Sequence, residues 1–108
     1  VRNLGKLNCV LKYIEENYTE KITIDQLAEM ICVSNYYFCH LFKQVTGKTL
    51  SEYINSVRVN AAEVLLKTSD MNITEVALAV GFNDINYFSR VFKKYKKYPP
   101  SRVRKAAI

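Results

Sequence analysis

Residues 86–95 read NYFSRVFKKY, and residues 36–45 read YYFCHLFKQV. At an offset of 50 the two stretches share Tyr37 and Tyr87, Phe38 and Phe88, Phe42 and Phe92, and Lys43 and Lys93, with Leu41 opposite Val91. Self-similarity at a fixed offset marks a supersecondary unit built twice. Within each copy the apolar residues fall at i, i+3, i+4 and i+7: Phe38, Leu41, Phe42 and Val45, then Phe88, Val91, Phe92 and Tyr95. That spacing predicts an amphipathic helix about a dozen residues long and assigns the aromatics to a core, not to a platform for stacked bases.

The opposite face carries Asn35, Tyr36, Cys39, His40 and Lys43 in the first copy and Ile85, Asn86, Ser89, Arg90 and Lys93 in the second. Almost all are donors, acceptors or small groups suited to base edges and phosphates in a major groove.

Upstream, each copy has the same preface. TIDQ at Thr23 to Gln26 is a capping box flanked by Ile22 and Leu27 as a hydrophobic staple, and NITE at Asn72 to Glu75 repeats it with Met71 and Val76. A short helix follows each, with Ile24, Leu27, Ala28 and Ile31, or Ile73, Val76, Ala77 and Val80, on its buried stripe. The first is expected to stop at Cys32 and the second at Gly81, a residue that enters a left-handed turn at least cost. Ser34 and Asn83 are placed to cap the longer helices. A short helix, a tight turn and a longer helix make a helix-turn-helix.

Between the copies, TLSE at Thr49 to Glu52 opens another helix just after Gly47, running to about Thr68 with apolar residues on more than one stripe. About 18 residues at 1.5 Å each span roughly 27 Å, near the roughly 34 Å between successive major-groove faces of B-DNA. Leu7, Val10, Leu11 and Ile14 predict an amphipathic helix completing the first unit, and PPSRVRK at Pro99 to Lys105 a short one closing the second. The expected fold is all-α: two homeodomain-like three-helix subdomains, residues 7–47 and 72–106, joined by a central linker helix over 50–68.

Charge is distributed unevenly along the 108 residues. Residues 1–50 carry net +1 and residues 51–108 net +5, and no acid follows Asp84. Lys93, Lys94, Lys96 and Arg104 in that basic end, with Lys43 in the first copy, are candidate phosphate contacts. A charge run is ordinarily only a solvated face, and it is the paired reading faces that make this one a polyanion-binding end. No apolar stretch approaches the roughly 20 residues a bilayer needs, so a soluble chain is expected. Cys9, Cys32 and Cys39 form no C-x-x-C pair and have one histidine beside them, His40, so the pattern asks for no metal and no cofactor. Reduced cytosolic thiols are expected, with Cys9 and Cys32 packed.

The segment GFNDINYFSRVFKKYKKYPPSRVRK, residues 81–105, resembles the signature of the AraC/XylS family of bacterial transcription regulators. The resemblance extends back through RVNAAEVLL at 58–66 and LAEMICVSNYYFCHLFKQVTG at 27–47, covering about residues 7–105. It implies two helix-turn-helix units on a rigid helix that bind successive major-groove segments of promoter DNA and usually activate transcription through RNA polymerase, in the bacterial cytoplasm at the nucleoid. The family's base-reading positions fall on Tyr36, Cys39 and His40, then on Ile85, Asn86, Ser89 and Arg90. Lys97 stands where the family generally has glycine, so the second reading helix ends in a different cap or runs on. Val103 replaces the usual aromatic before Arg104. Cys39 makes only weak contacts, so the first copy is expected to discriminate less.

A basic helical module that meets an acidic protein partner is the alternative class; salt-sensitive binding to a duplex separates the two. Catalysis has no support, because His40 lacks a paired nucleophile or second ligand. Val1 in place of methionine favours a C-terminal fragment whose effector or receiver domain lies elsewhere in a longer protein.

Overall fold

A computed structural model describes residues 2–107 of the protein, with side chains described for residues 4–103. These residues form seven helices and no strand: α1 (Arg2–Asn17), α2 (Ile24–Met30), α3 (Asn35–Thr46), α4 (Leu50–Thr68), α5 (Ile73–Ala79), α6 (Ile85–Lys96) and α7 (Pro100–Ala107). The chain divides into two compact units, residues 1–54 and 55–108, and the boundary falls inside α4.

In the first unit α1 buries Leu7, Val10 and Ile14, while Leu11 is half-buried. Both hydrogen bonds of the expected capping box form at the start of α2. Gln26 N donates to Thr23 Oγ1 at 3.2 Å and Thr23 N donates to Gln26 Oε1 at 2.9 Å, so two of the helix's orphan donors are satisfied. The turn after α2 closes by two backbone bonds, Val33 N to Ala28 O at 3.0 Å and Cys32 N to Glu29 O at 3.1 Å, with Cys32 left-handed at φ 58°. Ser34 then accepts from Tyr37 N and starts α3. Phe38, Leu41 and Phe42 are buried, and Phe42 meets Tyr53 edge-on at 5.4 Å between ring centroids. Gly47 ends the helix at φ 76°.

The second unit repeats the capping box and the turn. Asn72 and Glu75 form its capping box, and the turn after α5 closes through Phe82 N to Ala77 O at 2.9 Å and Gly81 N to Leu78 O at 3.1 Å. Both turns are Schellman closures; the second has glycine at the left-handed position, where the first sets a cysteine. Phe88, Val91 and Phe92 are buried on α6, and Phe82 joins them at 5.1 Å from Phe88. Val103 is buried on α7.

Four expectations are corrected. Asp84, not Asn83, caps α6: its carboxylate accepts from both Asn86 N (2.8 Å) and Tyr87 N (3.2 Å), and an anion is favoured at a helix N-terminus. It also stands opposite Ser34 at the same offset of 50 as the rest of the helix. Lys97 neither extends α6 nor gives it a new kind of cap; it takes the left-handed conformation at φ 70° in glycine's stead, its N–H bonding Lys93 O at 2.8 Å as Gly47 bonds Lys43 O. Val45 is 43% exposed, because the buried stripe of α3 ends one turn earlier, at Phe42. Cys9 and Cys32 are exposed, not packed: Cys9 lies off the Leu7–Val10–Ile14 stripe, and Cys32 sits at the tip of a turn.

The central helix α4 is continuous for 19 residues and opens with the expected box, Thr49 N donating to Glu52 Oε1 and Glu52 N to Thr49 Oγ1. Leu50, Ile54, Val59, Ala62 and Leu66 are buried on it, whereas Val64 is exposed. Among the described residues no helix is long and apolar enough to cross a membrane.

Candidate nucleic-acid interface

The buried phenylalanines set the roll of α3, and its N-cap sets where it starts; together they turn a defined face to solvent. On that face Asn35, Tyr36, Cys39 and His40 come together, lining one shallow hollow with Thr23, Ile24 and Asp25 of the α2 start. Tyr36 is 76% exposed, and its ring lies against the His40 imidazole at 4.4 Å between centroids. Lys43 is exposed one turn further along the same face. Asn35 is hydrogen-bonded across the turn: its Nδ2 donates to Asp25 Oδ1.

On α6 the matching positions are Asn86, Ser89, Arg90 and Lys93, at i, i+3, i+4 and i+7 and so on one side of the helix. Asn86, Arg90 and Lys93 are exposed, whereas Ile85 and Ser89 are half-buried. The Arg90 guanidinium carbon stands 5.7 Å from the Tyr87 ring centroid, and Tyr87 Oη in turn accepts a hydrogen bond from Asn55 Nδ2 of α4 at 2.9 Å. This platform escaped sequence reading because Asn55 and Tyr87 are 32 residues apart. Phe82 and the Arg58 guanidinium over it, 5.6 Å from the ring centroid, were missed for the same reason.

Of the candidate phosphate contacts, Lys93 and Lys94 are exposed in the last turn of α6. Lys96 is not free in this way. Its Nζ donates to Asn60 Oδ1 at 2.7 Å and pairs with Glu63 Oε1 at 3.2 Å, both on α4. Tyr98 donates its hydroxyl to the other carboxylate oxygen, Glu63 Oε2, at 2.7 Å. That hydrogen bond, with Lys96 in support, holds the Glu63 carboxyl below its usual range, and the same bond pushes the Tyr98 phenol up. Lys96 thus binds the end of α6 to α4 instead of standing in solvent. The Arg104 side chain lies outside the described residues.

Two capped helix-turn-helix units, each turning a polar helix face outward over a phenylalanine core, define a tandem DNA-binding domain. A family model described as a helix-turn-helix domain matches residues 27–106. The chain is 44% identical over 103 residues to an uncharacterised HTH-type transcriptional regulator from Pseudoalteromonas carrageenovora, covering 91% of this chain and 60% of that protein. It spans between 37% and 60% of the length of such curated relatives. An AraC-type transcriptional regulator from Chromobacterium violaceum superposes with a TM-score of 0.88 at 28% identity, over 97% of this chain and 94% of that one. The DNA-binding domain of AdpA, a global transcriptional factor solved in complex with a target DNA, superposes with a TM-score of 0.82 at 27% identity, over 94% and 90% of the two chains. The chain belongs to the AraC/XylS family of helix-turn-helix transcription regulators.

Proposed function

We propose that this chain reads double-stranded promoter DNA in sequence-specific fashion, inserting α3 and α6 into successive major-groove segments. The observation that carries the reading is the paired register: Tyr36, Cys39, His40 and Lys43 on α3 match Asn86, Ser89, Arg90 and Lys93 on α6 at the same helical positions, opposite buried phenylalanines. In this reading Asn35, Tyr36, Cys39 and His40, then Ile85, Asn86, Ser89 and Arg90, meet base edges, and Lys43, Lys93, Lys94 and Arg104 meet phosphates. Lys96 is left out because Glu63 and Asn60 already hold it. The role is binding, not catalysis. Control by a separate effector or receiver domain, and contact with RNA polymerase, form the setting in which such a reader acts.

Arg90 supplies the test. It is exposed on the reading face, and a guanidinium bonds guanine O6 and N7 together. Arg90→Ala is expected to weaken the best duplex by about 1 to 3 kcal/mol and to relax the preference at one base pair. Selection from a randomised duplex pool, run on the wild type and the variant, reads both effects. Identical preferences would make Arg90 a backbone contact and leave Asn86 the better reader. An acidic polypeptide that binds more tightly than any duplex would turn the reading to a protein-interaction module.

A further inference from the structure

Asn35 is the first residue of α3, the position from which a reading helix reaches base edges. Its amide nitrogen is committed to Asp25, in the first turn of α2 and ten residues back, so the end it offers outward is not a matter of free rotation. An ionised carboxylate only accepts hydrogen bonds, whereas an amide has a donating and an accepting end. Turned over, the Asn35 amide would set oxygen against oxygen and lose a charge-assisted bond. The nitrogen therefore faces Asp25, and Oδ1 faces away, with no protein donor reaching it among the described residues.

We propose that Asp25 is a positioning residue for recognition: it locks the Asn35 amide with Oδ1 as the outward acceptor, so that the first unit selects adenine or cytosine on the strand Asn35 meets. In the major groove only adenine N6 and cytosine N4 donate, while guanine shows O6 and N7, and thymine O4 and a methyl group. This inference rests on the reading of α3 as a helix that enters DNA. Two further observations support it. Both residues line the same hollow as Tyr36, Cys39 and His40, which places the locked amide within the reading face. When the two capped starts are aligned, the second unit has Thr74 and Ile85 in place of Asp25 and Asn35, so the lock belongs to the first unit alone. A carboxylate so placed also repels phosphate, and its removal therefore has a signature of two opposite signs.

Asp25→Asn is the variant of choice, since it keeps the shape while its own amide can donate or accept, freeing Asn35 to turn either way. Using the 108-residue chain and a randomised duplex pool, the wild type is expected to prefer adenine or cytosine at one position by about tenfold, the size of one good contact. In Asp25→Asn that preference falls below about threefold while other positions hold, and affinity for unrelated duplexes stays equal or rises. Asn35→Ala loses the same preference, and adding Asp25→Asn to it changes the selected sequences no further. Asp25→Ala carries the same expectation should the asparagine variant melt early. An unchanged preference in both Asp25 variants, or an equal loss of affinity for every duplex, would overturn the proposal and make Asp25 a tether between α2 and α3. A wild type that selects no sequence at all would overturn the reading of α3 itself.

Discussion

Four lysines crowd into residues 93–97, yet Lys96 is bound to Asn60 and Glu63 of α4, and alanine substitutions separate it from Lys93 and Lys94. Lys93 and Lys94 are exposed, and if each meets a phosphate its loss removes about 0.9 from the slope of log affinity against log salt. Between 50 and 200 mM salt a slope change of that size alters the fall in affinity by about 3.5-fold, well within reach of a fluorescence anisotropy titration on an end-labelled duplex. Lys96→Ala is expected to leave the slope alone and to lower stability instead. Its side chain is 21% and that of Glu63 19% exposed, so the pair lies between a solvated ion pair, worth less than about 1 kcal/mol, and a buried one, whose breaking costs about 3 to 5. Glu63 keeps its bond from Tyr98, which places the cost at about 1 to 2 kcal/mol. Thermal melting by circular dichroism measures that loss, which Lys93→Ala and Lys94→Ala should not show. The reasoning is refuted if Lys96→Ala flattens the salt slope as its neighbours do, or if no single lysine changes it.

Phe92→Ala and Phe42→Ala each delete a ring that is at most 1% exposed, and each is expected to cost about 3 to 5 kcal/mol in chemical denaturation; an unaltered midpoint would contradict the core. Glu63 is held below its ordinary carboxyl value of 4.5, so its stabilising contribution is present at neutral pH and is lost as pH falls through that value and below. The melting temperature of the wild type should therefore exceed that of Glu63→Gln at pH 7 and converge with it in acid; a gap that stays constant with pH would dissociate Glu63 from the effect. Lys97→Gly relieves a left-handed residue and should raise stability by about 1 kcal/mol, with Cys32→Gly behaving alike at φ 58°; a lower melting temperature in either would mean that the side chain earns its strained position.

What could be read before the structure was local. The two capping boxes, the Thr49–Glu52 box, the Ser34 cap and the stops at Cys32, Gly81 and Gly47 all involve groups within five residues of each other, so their residue types announce them. The phenylalanine stripes were equally plain, since helical periodicity alone assigns them. Even the corrected cap lay in the sequence: the offset of 50 that pairs Phe38 with Phe88 pairs Ser34 with Asp84.

The amino-acid sequence by itself thus determined the doubled helix-turn-helix, most of its helix ends and the face each longer helix turns away from its core. Only the tertiary structure decided which polar side chains on or near those faces are already engaged. Lys96 looks like Lys93 in the sequence until α4 brings Asn60 and Glu63 to it across 36 and 33 residues, and Tyr87 becomes a platform for Arg90 with Asn55 bound to its hydroxyl. Asn35 looks like an unconstrained reader until the tight turn folds Asp25 back beside it. The physical reason is one of range: caps and stripes follow from the helix's own repeat, whereas the choice of partner for a long or rotatable polar side chain is settled only when elements distant in sequence are packed side by side.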